Sequence, residues 1–156
     1  MNTATAKPMF RAALESDLPA LVSMLAQDDL GAHREDDSEP LNRNYLDAFD
    51  AINRDPNQAL VVAELDHRVV GMMQLSFIPY LTHIGSWRCL IEGVRIHGDY
   101  RGRGLGNAMI EWAIDAARKR NCRIVQLTSD KQRPDALRFY AALGFEATHE
   151  GFKLKL

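Results

Sequence analysis

The sequence predicts an α/β fold, a mixed sheet with helices in the order β-α-α-β-β-β-α-β-α-β-β. Three observations carry this. Two apolar runs, 59–65 and 68–78, are separated only by Asp66 and His67, which is hairpin spacing. Four other stretches repeat apolar residues at helical spacing. A glycine-rich turn, "DYRGRGLGNAM", joins a strand-like run to one of those helices.

A polar tail, residues 1–7, precedes a first strand at 9–13. In "ESDLPALVSMLAQ", Ser16 or Asp17 is the N-cap and Pro19 suits the first turn, while Leu18, Leu21, Val22 and Leu25 share one face. "DDLGAHREDDSEP" has loop composition. Leu41, Tyr45, Phe49 and Ile52 then recur at helical spacing until Asp55-Pro56-Asn57 stops the helix. The hairpin follows, its second strand closed by Pro79.

A third strand-like run, 86–98, is interrupted by Glu92 and Gly93, and a glycine inside a strand signals a bulge or a close approach. From Leu105 onward, Ala108, Met109, Trp112, Ala113 and Ala116 continue one apolar helical face that ends near Asn121. "RIVQLTS" is a short strand, and "RPDALRFYAAL" a helix with Pro134 near its start and Gly144 at C′. "FEATHEGFKLKL" predicts a closing hairpin that turns at Glu150-Gly151, with Phe152, Leu154 and Leu156 alternating with Lys153 and Lys155.

At 156 residues this is one domain, 8–156, long enough to bury a core. A net charge of −2 supplies no excess of cations to displace counterions from nucleic acid, so no nucleic-acid partner is expected. No run of ~18 apolar residues predicts a membrane span. Cys89 and Cys122 form no CxxC and lie in apolar surroundings, as reduced core thiols of a cytoplasmic protein do. The five histidines are scattered, so no metal site is expected.

A strand, a glycine-rich turn and a helix together make an anion site. The first N–H groups of a helix lack intrahelical partners, and the helix dipole adds partial positive charge there. Glycines let successive amides curl around an oxygen, and Arg101 and Arg103 add charge at the rim. A pyrophosphate suits the turn. No Lys-Ser or Lys-Thr follows the glycines, and Gly102, Gly104 and Gly106 miss the G-x-G-x-x-G spacing, so neither common nucleotide motif is present.

Arg101-x-x-Gly104-x-Gly106, between "IEGVRIH" and an amphipathic helix, resembles the acetyl-CoA pyrophosphate loop of the GNAT N-acetyltransferases. "ALRFYAALGF", 136–145, is similar to that family's last helix and the strand after it. The resemblance spans nearly the whole chain. It implies a mostly antiparallel sheet of six to seven strands flanked by about four helices. It further implies acetyl-CoA as acyl donor, without a metal. The implied coenzyme contacts are Val94, Arg95 and Ile96 on the strand, Arg101, Gly102, Arg103, Gly104, Leu105, Gly106 and Asn107 at the turn, and Arg133. Family members often carry Asn seven residues before the Tyr, where this chain has Arg133.

The reaction so implied is acyl transfer from a thioester to an amine by direct attack. The pantetheine arm would add to the sheet beside Val94 and Ile96, and an amide near Val94 would polarise the thioester carbonyl. An amine of pKa about 10.4 arrives protonated at neutral pH, so a base is needed. Glu92 is the candidate, with a pKa raised by burial; the other reading is a solvated carboxylate. The thiolate leaves with a pKa of about 8.5, and the resemblance makes Tyr140 its proton donor; the other reading is a packing tyrosine.

The acceptor is a small-molecule or peptide amine. The acidic loop, 28–40, either attracts a cationic amine or is simply solvated, and Gln74 is a further candidate for the groove. Family members are often dimeric, which leaves a homodimer open. Two other functions remain compatible with the residues, a non-catalytic acyl-CoA-binding or regulatory module and a nucleotide-phosphate binder.

Overall fold

The hairpin marked by Asp66-His67 is present in the computed structural model, which describes residues 7–156. All but Lys7 of the expected N-terminal tail lies outside the described residues. Asp66 and His67 take φ of 50° and 61°, the left-handed pair that a two-residue turn needs to match strand twist. The turn joins β2 (Gln58–Leu65) to β3 (Arg68–Pro79). Around them lie β1 (Met9–Ala12), β4 (Trp87–Ile96) and β5 (Cys122–Leu127), in the spatial order β1-β2-β3-β4-β5. The pairings β1–β2, β2–β3 and β3–β4 are antiparallel.

The chain divides into two compact units, Met1–Gln126 and Leu127–Leu156. In the first, α1 (Leu18–Ala26) and α2 (Arg43–Arg54) cover one face of the sheet. Leu18, Leu21 and Met24 are buried with Val62 and Met72, and Phe49 and Leu60 pack against them. The opposite face takes α4 (Leu105–Lys119): Met109 and Ile110 are fully buried, and Trp112 stacks on Phe10 at 5.8 Å. Gly71 lets this helix approach, because a Cβ there would lie 2.9 Å from the Met109 sulfur. Between β3 and β4 sits a one-turn helix, α3 (Thr82–Gly85), absent from the sequence expectation. His83 and Ile84 have positive φ there, which no propensity rule anticipates for a β-branched residue.

The sequence expects six to seven strands, and the described residues form five. The difference lies in residues 145–156, where the expected closing hairpin is not formed and Phe152, Leu154 and Leu156 are exposed. Alternation specifies which side of a strand is apolar. It does not supply the neighbour whose backbone completes a ladder. The second unit contains α5 (Pro134–Ala142), ended by Gly144 at φ 91°.

Of the two N-cap candidates, Ser16 and Asp17, it is Asp17 that stands at the N-cap of α1, although its carboxylate makes no cap bond to that helix. It accepts from the Leu14 N–H at 2.8 Å and from the Arg11 guanidinium at 2.7 and 3.2 Å, while Arg11 also donates to Glu64 at 2.7 Å. Strand β1 is thereby tied to both α1 and β2. The Arg11 hydrogen bonds hold the Asp17 carboxyl below the usual range against the opposing effect of its burial. Because the folded pKa is depressed, the stability it contributes is complete above the unfolded pKa near 3.9 and is lost as pH falls through the folded value. Thermal melts are therefore expected to hold steady above about pH 4 and fall below it. Asp17→Asn should cost about 2 kcal/mol at neutral pH and flatten the acid limb.

Candidate active site

The bulge expected at Gly93 is present. Met72 faces Arg95 and Gln74 faces Glu92, so Gly93 and Val94 together oppose the single residue Met73. Gly93 sits at φ 62°, a left-handed value that a Cβ would strain. Strand β5 has six residues to the ten of β4, so among the described residues it is too short to match all of β4 along that edge. An open, bulged strand of this kind can accept another extended chain.

Cross-strand neighbours share a face, so Glu92 and Gln74 project together from the side that α1 and α2 partly cover. Gln74 donates to Gln58 Oε1 at 3.1 Å, and Ser76 donates to the same oxygen at 2.8 Å, which orients the Gln74 amide. The sequence marked Gln74 without fixing its direction; the register assigns it. Glu92 is exposed, so the burial expected to make it a stronger base is not there. The strand alternation that buries Cys89 and Ile91 is what turns Glu92 outward.

Beyond β4 the chain makes a short 3₁₀ turn (Gly98–Tyr100) and then the glycine-rich turn. Gly102 and Gly104 have φ of 73° and 77°, each with open space where a side chain would be, so conformation rather than crowding demands glycine. Arg101 N donates to Gly98 O at 3.4 Å, while among the described residues the N–H groups of 102–107 donate to no backbone acceptor. The run of open amides thus starts at Gly102, one residue past Arg101, and ends inside α4, whose first turn holds Leu105, Gly106 and Asn107. Arg101 is held by a bond from Nε to Ile96 O at 3.2 Å, and Arg103 lies over the Tyr100 ring at 5.1 Å. Both arginines are exposed at the rim. The cradle is shaped for an anion with several oxygens.

The acidic loop is more built than its composition suggests. Asp28 accepts from Gly31 N at 2.6 Å and pairs with Arg95 Nε at 3.2 Å. Glu35 pairs with Arg34 at 2.6 Å and accepts from the Tyr45 hydroxyl at 2.9 Å. Burial pushes the Glu35 carboxyl up, but its bonds from Arg34 and Tyr45 outweigh this and leave it below the usual range. Asp36, though exposed, accepts from the Ser38 hydroxyl at 2.6 Å, so three of the six acids are engaged and Asp29, Asp37 and Glu39 are exposed.

In the second unit, Tyr140 lies edge-on to Phe139 and Phe145 at 5.1 and 5.8 Å, and its carbonyl accepts from Leu143 and Phe145 N–H groups at 3.1 Å. Arg133 occupies the N-cap of α5 without a side-chain cap bond. Burial pushes the Cys89 thiol up to about 12, so it is no nucleophile at neutral pH. Among the described residues no group of three His, Cys, Asp or Glu side chains is arranged to hold a metal.

Residues 22–145 match the acetyltransferase (GNAT) family. The chain is 51% identical to a protein of Bacillus halodurans C-125 whose structure is described as that of a transcriptional regulator, covering 96% of this chain and 100% of that one at a TM-score of 0.94. It is 31% identical over 108 residues to the aminoalkylphosphonate N-acetyltransferase of Salmonella typhimurium, which covers 69% of this chain and 70% of the relative. A predicted acetyltransferase of Clostridium acetobutylicum, solved with acetyl-CoA, is 20% identical and shares the fold at a TM-score of 0.71 over 96% of each chain.

Proposed function

Because this chain belongs to the acetyltransferase (GNAT) family, we propose that it moves an acetyl group from acetyl-CoA to a small primary amine by direct attack in a ternary complex. That it is an acyltransferase follows from the family and from its N-acetyltransferase relatives. The observation that carries the finer reading is one continuous stretch. The bulged β4 and the amide cradle at 102–107 follow each other within the first unit, so one extended ligand can meet both.

In this reading the 102–107 amides and the two rim arginines hold the diphosphate. Val94 and Ile96 offer backbone groups to the pantetheine arm, and the Val94 N–H polarises the carbonyl to be attacked. Acetyl-CoA supplies the thioester, which is already activated toward amines. Glu92, being exposed, takes the ammonium proton through water rather than by close contact. Gln74, oriented by Gln58, faces the incoming amine from the same row. The new N–C bond forms as the C–S bond breaks, the second proton of the nitrogen passes to water, and the departing sulfur takes a proton from Tyr140, the donor that the family resemblance implies, which regains one from water.

The acceptor class is drawn from the relative named for aminoalkylphosphonates. Calorimetry with acetyl-CoA and with ATP, followed by thiol release with a panel of an aminoalkylphosphonate, glucosamine 6-phosphate, a polyamine and an aminoglycoside, tests the reading. Micromolar binding of acetyl-CoA alone and amine-dependent thiol release are expected. Binding without release from any amine contradicts it.

A further inference from the structure

The Arg95 side chain does something that neither the coenzyme nor the proton transfers account for. Its Nη1 donates to the Val94 carbonyl at 2.9 Å, and its Nε pairs with Asp28 Oδ2 at 3.2 Å. Both side chains are largely withdrawn from water, at 14% and 20% exposure. One guanidinium therefore joins the bulge of β4 to the loop that follows α1. The other oxygen of Asp28 caps the turn at Gly31, and that turn is tight enough that a Cβ on Gly31 would lie 1.8 Å from Leu25 O. At its far end the loop is held to α2, where the Tyr45 hydroxyl donates to Glu35 and accepts from Asp36 N at 3.0 Å.

A loop fastened at both ends presents its remaining groups at fixed positions. Releasing one end leaves it to be ordered when a ligand binds, and that cost appears as weaker affinity. The face it borders is the one carrying Glu92 and Gln74, because Arg95 pairs across the sheet with Met72, a member of the α1-side core.

We propose that Arg95, acting through Asp28, is a positioning residue that fixes the 28–40 loop beside the bulged strand and so sets one wall of the amine-acceptor site. This rests on the acyltransferase reading above. The pair does not touch reacting atoms. Its contribution is to acceptor recognition rather than to the chemical step, and a partly buried pair broken on one side is felt strongly because the guanidinium loses its counter-charge.

Asp28→Asn and Asp28→Glu, made in the full chain, test it. Hydrogen–deuterium exchange of the peptides covering 28–36 should quicken at least tenfold in Asp28→Asn and by much less in Asp28→Glu, which keeps the charge. With acetyl-CoA saturating and the amine of the panel that has the highest kcat/KM, Asp28→Asn should raise acceptor KM about tenfold. It should leave the calorimetric affinity for acetyl-CoA within twofold, and Asp28→Glu should recover most of the KM. Unchanged loop exchange in Asp28→Asn overturns the proposal, as does faster exchange with an unaltered acceptor KM. If the wild-type chain binds no acetyl-CoA, the acyltransferase reading fails with it; if it binds and turns over but the two variants behave alike, only the positioning role fails.

Discussion

Gly104→Glu is expected to weaken acetyl-CoA binding at least 100-fold, to the point where calorimetry registers no heat. Two costs add. Gly104 is the N-cap of α4 at φ 77°, and a side-chain residue there is strained by about 1 kcal/mol. The added carboxylate then lies among the amides of 102–107, where it repels a diphosphate and competes for the same N–H groups. Because a Cβ at this position meets open space, the fold itself should tolerate the change, and a thermal melt within a few degrees of wild type is the control. Full binding by the variant would mean that the diphosphate lies elsewhere.

Glu92→Gln is expected to lower kcat/KM at neutral pH about 100-fold, the lower end of what a positioned base contributes. The two side chains have the same shape, and Glu92 is exposed, so stability should not change. The deficit has a pH signature. An acceptor with an amine pKa near 10.4 is increasingly neutral as pH rises, so the base is needed less and the gap between variant and wild type should narrow from pH 7 to pH 10. A pH–rate comparison with acetyl-CoA saturating measures this. A constant ratio across that range would remove Glu92 from the proton path.

Most of the fold was legible because its signals are local. The Asp66-His67 hairpin, the stop at Asp55-Pro56 and the stripe from Leu105 to Ala116 each follow from neighbours in sequence. The bulge was legible for the same reason, since only a glycine suits φ 62° in the middle of β4. What failed depended on partners. Residues 145–156 alternate as a strand should, yet alternation alone does not create a pairing edge. The burial expected for Glu92 was read from the apolar run around it, whereas period two sends every second side chain outward. Neither the Arg95–Asp28 pair nor the Arg11–Asp17–Glu64 network could be read at all, because their members are far apart in sequence or face one another only after β1, α1 and β4 have packed. Gln74 stands out in the sequence only for its type, and its place beside Glu92 follows from the register.

The central claim is that one ligand lies along β4 and reaches the cradle at the start of α4. Titrating the isotopically labelled chain with acetyl-CoA and following each backbone amide by NMR tests it most directly. The largest shifts should fall on residues 102–107 and on Val94 and Ile96, saturating together with a single affinity. Shifts confined to another surface, or none at millimolar acetyl-CoA, would contradict it.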